Sequence, residues 1–454
     1  MNPYIFIIVL SSLLILSYFF NVIAKKTNIP SVLLLILTGL LMQFAISNHS
    51  LSDFDFFPIL ELVGIVGLIM IVLEAALELE LKRDKLGLIF RSLAVALITL
   101  VGTAGLIGWL VSFIFEVPIL TGLIYGIPIA TMSSAIVIPS VSNLEEHKRE
   151  FMIYESTFSD IIGIMFFYFL IAVKPGDSFG DLFLHGIGNI GLTIVLSIVL
   201  SLFLVFISQK IKSKVRLVLL LSILFLLYTI GKMSHLSALF IILIFGLVLN
   251  NNRFITRGKW AKYFKKEAIS DVLADMQIIT IESSFVVRTL FFVLFGLTIS
   301  ITSFYNLKVI TISLLFLAIL FGIRFITLFL IQGKKLLPQL FIAPRGLITI
   351  LLFFAIPEKL MIEEFKPGIL LFVILLSSFI MAYALIKDSR TRKKRALELA
   401  YEDSLTEESE EIAGIKIIED ESLGQFKEDT KDGSDETSHK SRFEDSDWIW
   451  EKDE

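Results

Sequence analysis

The chain has 454 residues, of which 56% are hydrophobic and 41 are phenylalanine, with no cysteine and a formal net charge of −4. A mean hydropathy of +0.83 excludes an ordinary soluble domain, and repeated apolar runs of about 17–25 residues match the hydrocarbon thickness of a bilayer. The missing cysteines exclude disulfides, thiolate zinc sites and thiol catalysis, and the five histidines are scattered without metal-site spacing. No Gly-x-x-x-x-Gly-Lys-Ser/Thr loop is present, which disfavours an ATP-driven pump. No nucleophile–base set stands at catalytic spacing, which disfavours an enzyme.

In chain order, hydropathy predicts thirteen spans near 3–23, 30–47, 58–79, 88–114, 119–142, 151–173, 184–209, 215–232, 235–250, 284–303, 307–332, 337–357 and 367–387. The first has no basic segment before it and no small-residue cleavage site after it, so it reads as a span rather than a removed signal. Alternate loops carry 20 basic residues, from Lys25 and Lys26 to Lys334 and Lys335, against five (Lys174, Lys232, Lys308, Lys359, Lys366) in the others. This asymmetry puts the N-terminus outside and the C-terminus in the cytoplasm of a cell (inner) membrane. The transmembrane domain is therefore residues 1–387. Within it, 251–283 is a basic cytoplasmic loop with Trp260, Tyr263 and Phe264 among lysines, expected to lie along the lipid surface. Residues 388–454 form a cytoplasmic tail. From 401 onward it holds 20 acidic and 6 basic residues, which leaves +10 for residues 1–400. With so little apolar surface to bury, the tail is expected to be mostly disordered.

A faint repeat joins Ile36-Leu37-Thr38-Gly39-Leu40 in span 2 to Leu243-Ile244-Phe245-Gly246-Leu247 in span 9. Those spans run in opposite directions, so spans 1–6 and 8–13 read as inverted repeats. Spans 5 and 12 correspond, and both are interrupted. Span 5 carries Gly126, Pro128, Thr131, Ser133, Ser134 and Pro139; span 12 carries Pro338, Pro344, Arg345 and Gly346. Proline removes a backbone donor and breaks the helical ladder. Paired broken segments in two halves point to a transporter binding site, where unwound backbone meets ions.

Span 6 carries Glu155-Ser156-Thr157-Phe158-Ser159-Asp160. A carboxylate at the centre of a bilayer costs about 2.5–3.5 kcal/mol on insertion scales and by default marks an ion or proton path. Ser156 and Asp160 share a helix face, with Glu155 and Ser159 on the neighbouring stripe. Such hard oxygens suit an alkali cation, and a carboxylate that binds either a metal ion or a proton supplies the competition that exchange requires. Arg345 needs a partner in the membrane, and Glu155 is the expected one, tying span 6 to span 12. Glu74 in span 3 is a further intramembrane acid, and Ser133 and Ser134 join it as further candidates for the site. Arg288 is expected to snorkel to the cytoplasmic surface, and Arg324 is left without an assigned partner.

These motifs resemble those of cation:proton antiporters of the Na+/H+ exchanger family, nearest the bacterial NhaP-like branch, over essentially all of residues 1–387. Asn28-Ile29-Pro30-Ser31 leading to Gly39, Gly67-Leu68-Ile69 through Leu73-Glu74-Ala75-Ala76-Leu77, the Glu155–Asp160 motif, Phe291–Leu297 and Pro344-Arg345-Gly346 carry the resemblance. It implies an all-α membrane protein with an inverted-repeat antiporter fold, two crossed broken helices and a homodimer. It also implies an alkali cation at Asp160, assisted by Ser156, Glu155 and the backbone near Thr131, and a Glu155–Arg345 ion pair. Where the family has asparagine this chain has Ser159, and where the family often has Thr-Asp-Pro it has Thr131-Met132-Ser133. One acid near the site is thereby missing, and a single titrating carboxylate argues for one-for-one, electroneutral exchange. The expected activity is exchange of Na+ or K+ for protons by alternating access, with no cofactor and no nucleic-acid partner. The alternatives are a cation channel without proton coupling and a membrane sensor that has lost transport.

Overall fold

In the computed structural model the described residues are 3–27, 29–47, 57–79, 85–173, 179–210, 216–233, 238–251, 265–298, 306–334 and 336–428. They form an all-helical protein with no strand. In chain order the helices are α1 Pro3–Thr27, α2 Ser31–Ser47, α3 Phe57–Glu78, α4 Leu86–Phe115, α5 Ile119–Ala130, α6 Ser134–Ser140 and α7 Glu146–Ala172. They continue with α8 Phe179–Ser208, α9 Arg216–Met233, α10 Ala238–Asn250, α11 Lys266–Thr298, α12 Leu307–Gln332, α13 Leu347–Phe354 and α14 Gly368–Glu428. Among these, α5 with α6 fills the fifth expected span, and a 3-10 turn at Gln339–Phe341 with α13 fills the twelfth. Each remaining helix takes one of the other spans.

The polarity is that of a membrane protein. Among the described residues, eight segments are long and apolar enough to cross a bilayer, and four shorter apolar helices accompany them. Large apolar side chains face outward, among them Tyr4, Ile8, Tyr18 and Phe19 of α1 and Phe113 of α4, whereas Arg324 and Arg345 rank with the largest fully buried side chains. A lipid exterior gives no hydrophobic drive for helices to associate, so close packing has to hold them together. The α2–α11 crossing shows it. A Cβ on Gly39 would lie 2.2 Å from the Val293 carbonyl oxygen, and one on Gly296 would lie 2.4 Å from that of Ile36. Only glycines allow these backbones to meet.

Packing follows the proposed repeat. Span 2 (α2) lies against span 10 (α11), and its counterpart, span 9 (α10), lies against span 3 (α3). At the second contact Gly246 sits over Ala76.

Two boundaries differ from expectation. Residues 266–283 are not a loop but the first half of α11. In this stretch Ile269, Val272, Met276 and Thr280 are buried while Glu267, Ser270 and Asp271 are exposed. Averaged hydropathy mixes the two faces and hides the helix, although the three-to-four-residue period is there. Residues 252–264, with Trp260, Tyr263 and Phe264, lie outside the described residues. The tail is the second difference. Residues 390–454 form their own unit, and α14 continues into it as far as Glu428. Low apolar content forbids a packed core but not a helix, which satisfies its own backbone groups. The rest, 429–454, lies outside the described residues.

Candidate functional site

The fifth span opens where its backbone N–H groups find partners elsewhere. Helix α5 ends at Ala130; Thr131 and Ser133 are extended, with φ/ψ of −68°/126° and −85°/110°. The N–H of Met132 donates to Ser159 Oγ of α7 at 2.9 Å. The N–H of Ser133 donates to the Pro344 carbonyl at 3.0 Å, and that of Ser134 donates to Asp160 Oδ2 at 2.9 Å. The second break is set by Pro344, which has no N–H and pushes the preceding residue out of helical conformation. Helix α13 then starts at Leu347. The Ser133–Pro344 bond joins the two broken segments directly, so they cross.

The breaks are anchored alike. The N–H of Arg345 donates to Ser377 Oγ of α14 at 3.1 Å, as that of Met132 does to Ser159 of α7. Helices α7 and α14 are spans 6 and 13, equivalent under the inverted repeat. Asp160 and Ser378, the residues that follow these serines, each have a buried side-chain oxygen without a hydrogen-bond partner among the described residues.

The buried charges are matched to helix ends. Arg345 Nε donates to the Ile129 carbonyl at 2.7 Å, Nη2 to that of Ala130 at 2.8 Å, and Nη1 to that of Ala343 at 2.7 Å. Ile129 and Ala130 close α5, where free carbonyls collect negative partial charge. Asp160 instead meets the first N–H of α6, the electropositive end. Each end of the first break is thus held by a side chain of complementary sign.

The expected Glu155–Arg345 ion pair is not formed. Glu155 is bound by Arg324 of α12, from Nη1 to Oε1 at 2.5 Å and from Nη2 to Oε2 at 3.0 Å. Arg324 also donates to the Gln339 carbonyl at 2.9 Å and, through Nε, to that of Leu340 at 3.1 Å. The physical reason is that Arg345 is taken up by three carbonyls of the crossing, which leaves Glu155 to the guanidinium that can approach it with both nitrogens. Arg324 was visible in the sequence as an intramembrane cation lacking a partner; spacing alone does not say which acid it reaches.

The other expected residues fall as follows. Ser156 is fully buried, with its hydroxyl donating to the Ile153 carbonyl at 3.1 Å. Thr131 is buried, and its hydroxyl donates to the Ile127 carbonyl at 2.8 Å. Helix α7 touches it at Gly163, where a Cβ would lie 2.3 Å from Thr131 Oγ1. Ser133 and Ser134 are buried at the start of α6, and Ser133 Oγ has no hydrogen-bond partner among the described residues. Glu74 of α3 is paired with Arg288 of α11 at 3.3 Å, so Arg288 has a partner within the helices rather than only the lipid surface. No hydrogen bond among the described residues joins this pair to the Asp160 cluster.

Beside Glu155 lies a small cavity lined by Ala96, Thr99, Leu100, Ala130, Met132, Glu155, Ser159, Arg324 and Arg345. Thr99, on α4, was not anticipated. As one hydroxyl in an apolar span, it carries no sequence signal.

The arrangement therefore offers a buried carboxylate oxygen beside broken backbone and hydroxyls, between two helices that cross. Known proteins share the family and the fold. A region of similarity with the curated "Probable Na(+)/H(+) antiporter 2" of Methanocaldococcus jannaschii shows 27% identity over 303 residues, 62% of this chain and 66% of that relative, just under two thirds of its length. Solved structures of the sodium proton antiporter MjNhaP1 from the same organism share the fold. The one at pH 8 gives a TM-score of 0.61 at 21% identity, covering 85% of this chain and 98% of that one. An electron-microscopy map gives 0.60 at 22% identity, covering 88% and 98%. The family described as "Sodium/hydrogen exchanger, transmembrane" matches residues 9–386, the whole helical body with both broken segments, and the chain belongs to that family.

Proposed function

We propose that this protein is a secondary antiporter that exchanges Na+ or K+ for protons by alternating access, with Asp160 holding either the cation or the proton. The observation that carries the reading is Asp160 itself. It is 4% exposed, one oxygen takes the Ser134 N–H, and the other has no hydrogen-bond partner among the described residues. A buried carboxylate is tolerated when paired or neutralised, and a cation or a proton does either. Ser133 Oγ, next to that bond and also without a partner, is a hydroxyl ligand of the hard type alkali ions take. Ser156, Ser159, Glu155 and the backbone at Thr131 complete the surroundings.

Two guanidinium groups and two carboxylates, Arg324, Arg345, Glu155 and Asp160, share this interior. Glu155 is committed to Arg324, so Asp160 is the one group that changes its load, and we take the exchange to be one-for-one and electroneutral. The reading includes a homodimer in a cell membrane, with the N-terminus outside and the C-terminus in the cytoplasm.

The test is proton movement from liposomes that contain the purified protein and a pH-sensitive dye. Addition of Na+, K+ or Li+ is expected to drive proton efflux without net current. Cation conduction without proton movement would make the protein a channel. No flux with any of the three ions would favour a sensor.

A further inference from the structure

The cavity beside Glu155 is lined from α4, α5, α7 and α12. It measures about 10 Å³, the room that one water needs. Its wall is polar at Arg324 and at four further places. Thr99 is 7% exposed, and its Oγ1 is buried without a hydrogen-bond partner among the described residues. Helical threonines commonly turn the hydroxyl back onto their own helix, as Thr327 does at 2.9 Å. Thr99 does not. Arg345 has five N–H groups; three have carbonyl acceptors and two remain. Glu155 receives one N–H on each oxygen, and each oxygen has a further acceptor position. Ser159 Oγ accepts from Met132 and keeps a second lone pair that can accept another hydrogen bond.

We propose that this cavity is a site for a single ordered water anchored by Thr99, and that Thr99 is a positioning residue for the transport centre. One water takes up to four hydrogen bonds, and here donors and acceptors alternate suitably: it accepts from Arg345 and Thr99 and donates to Glu155. It links the Glu155–Arg324 pair on α7 and α12 to Arg345 and to Ser159. Those two residues tie down the broken ends of α5, and the Ser159–Met132 bond lies two residues from the Ser134 N–H that Asp160 holds. Thr99 thereby reaches the ion site through a chain of hydrogen bonds without touching the ion. A small anion is opposed by the Glu155 carboxylate in the wall, and an alkali cation by the two guanidinium groups. A neutral molecule of this size is what remains.

The inference extends the antiporter reading, and the test separates the two. Thr99→Val keeps the volume and removes the hydroxyl. Ala96→Val, one turn before Thr99 on α4, fills the cavity. In full-length protein in liposomes, each is expected to raise the KM for Na+ roughly three- to tenfold, the effect of about one hydrogen bond, and to move the pH profile of exchange the same way. Thr99→Ser is expected to stay within about twofold of the wild type, and the double variant Thr99→Val/Ala96→Val to add nothing, since both remove one water. A density map that resolves ordered waters should show one at this place in the wild type and none in Thr99→Val. A wild-type map without it overturns the site whether or not the protein transports. Water present with KM and pH profile unchanged in Thr99→Val overturns the positioning role. Loss of melting temperature with no change in profile assigns Thr99 to packing and does the same. Failure of the wild type to move protons sinks the antiporter reading instead and leaves the water question to the map.

Discussion

Glu155 is bound by Arg324 rather than by Arg345, through two nitrogen–oxygen contacts of 2.5 and 3.0 Å that join α7 to α12. Both partners are within 2% of full burial. Breaking such a pair leaves a bare charge in the interior. Glu155→Gln or Arg324→Gln is expected to destabilise the protein by about 3–5 kcal/mol, seen as a lowered melting temperature in detergent. The double variant Glu155→Gln/Arg324→Gln should lose clearly less than the sum. Additive losses would contradict the pairing.

Arg345 acts on geometry more than on charge alone. Its three carbonyl acceptors, Ile129, Ala130 and Ala343, need a planar fork of donors, and lysine supplies a single ammonium. Arg345→Lys is expected to slow exchange by about tenfold or more although the charge is kept. Wild-type turnover in this variant would show that the fork is dispensable.

Gly163 sets the distance between α7 and the first break. A methyl group there would meet Thr131 Oγ1 at 2.3 Å and its Cγ2 at 2.9 Å. Gly163→Ala should displace Thr131 from the crossing, with an overpacking cost of about 1–3 kcal/mol and a larger relative loss of exchange than of protein yield. Measuring both on one preparation checks it; unchanged exchange would mean the crossing tolerates the shift.

Lys85, just before α4, is hydrogen-bonded to Glu150 of α7, and this contact raises its affinity for the proton above that of an ordinary lysine. A group whose folded value is raised contributes stability in full below the unfolded value and loses it only as pH rises through the higher one. Its contribution is therefore constant between about pH 6 and 9. Lys85→Gln is expected to lower the melting temperature by the same small amount across that range and to leave the pH profile of exchange in place. A shifted profile would move part of the pH dependence to this contact.

Much of the fold was legible because the bilayer forces backbone groups to be satisfied within helices, so length and charge asymmetry carry real information. The two interruptions at Thr131–Ser133 and Pro344–Gly346 were legible for the same reason, since proline and glycine mark where the ladder opens. Individual partners were not. The sequence pairs Glu155 with Arg345 and leaves Arg324 without a partner, whereas the carbonyls that claim Arg345 exist only once α5 has ended beside it. The early part of α11 escaped because acidic residues such as Asp271 lie on its exposed face and lower the average. Thr99 carried no mark at all, because a hydroxyl gains meaning only from the cavity it lines.

Exchange requires that Asp160 take one passenger at a time, and binding of radioactive sodium to the purified protein across a pH series tests this most directly. The expected result is competition: in the acidic range the apparent Kd rises roughly tenfold for each unit of falling pH, with one proton released per ion bound, and Asp160→Asn abolishes binding. Sodium binding that is indifferent to pH, or that survives Asp160→Asn, would contradict it.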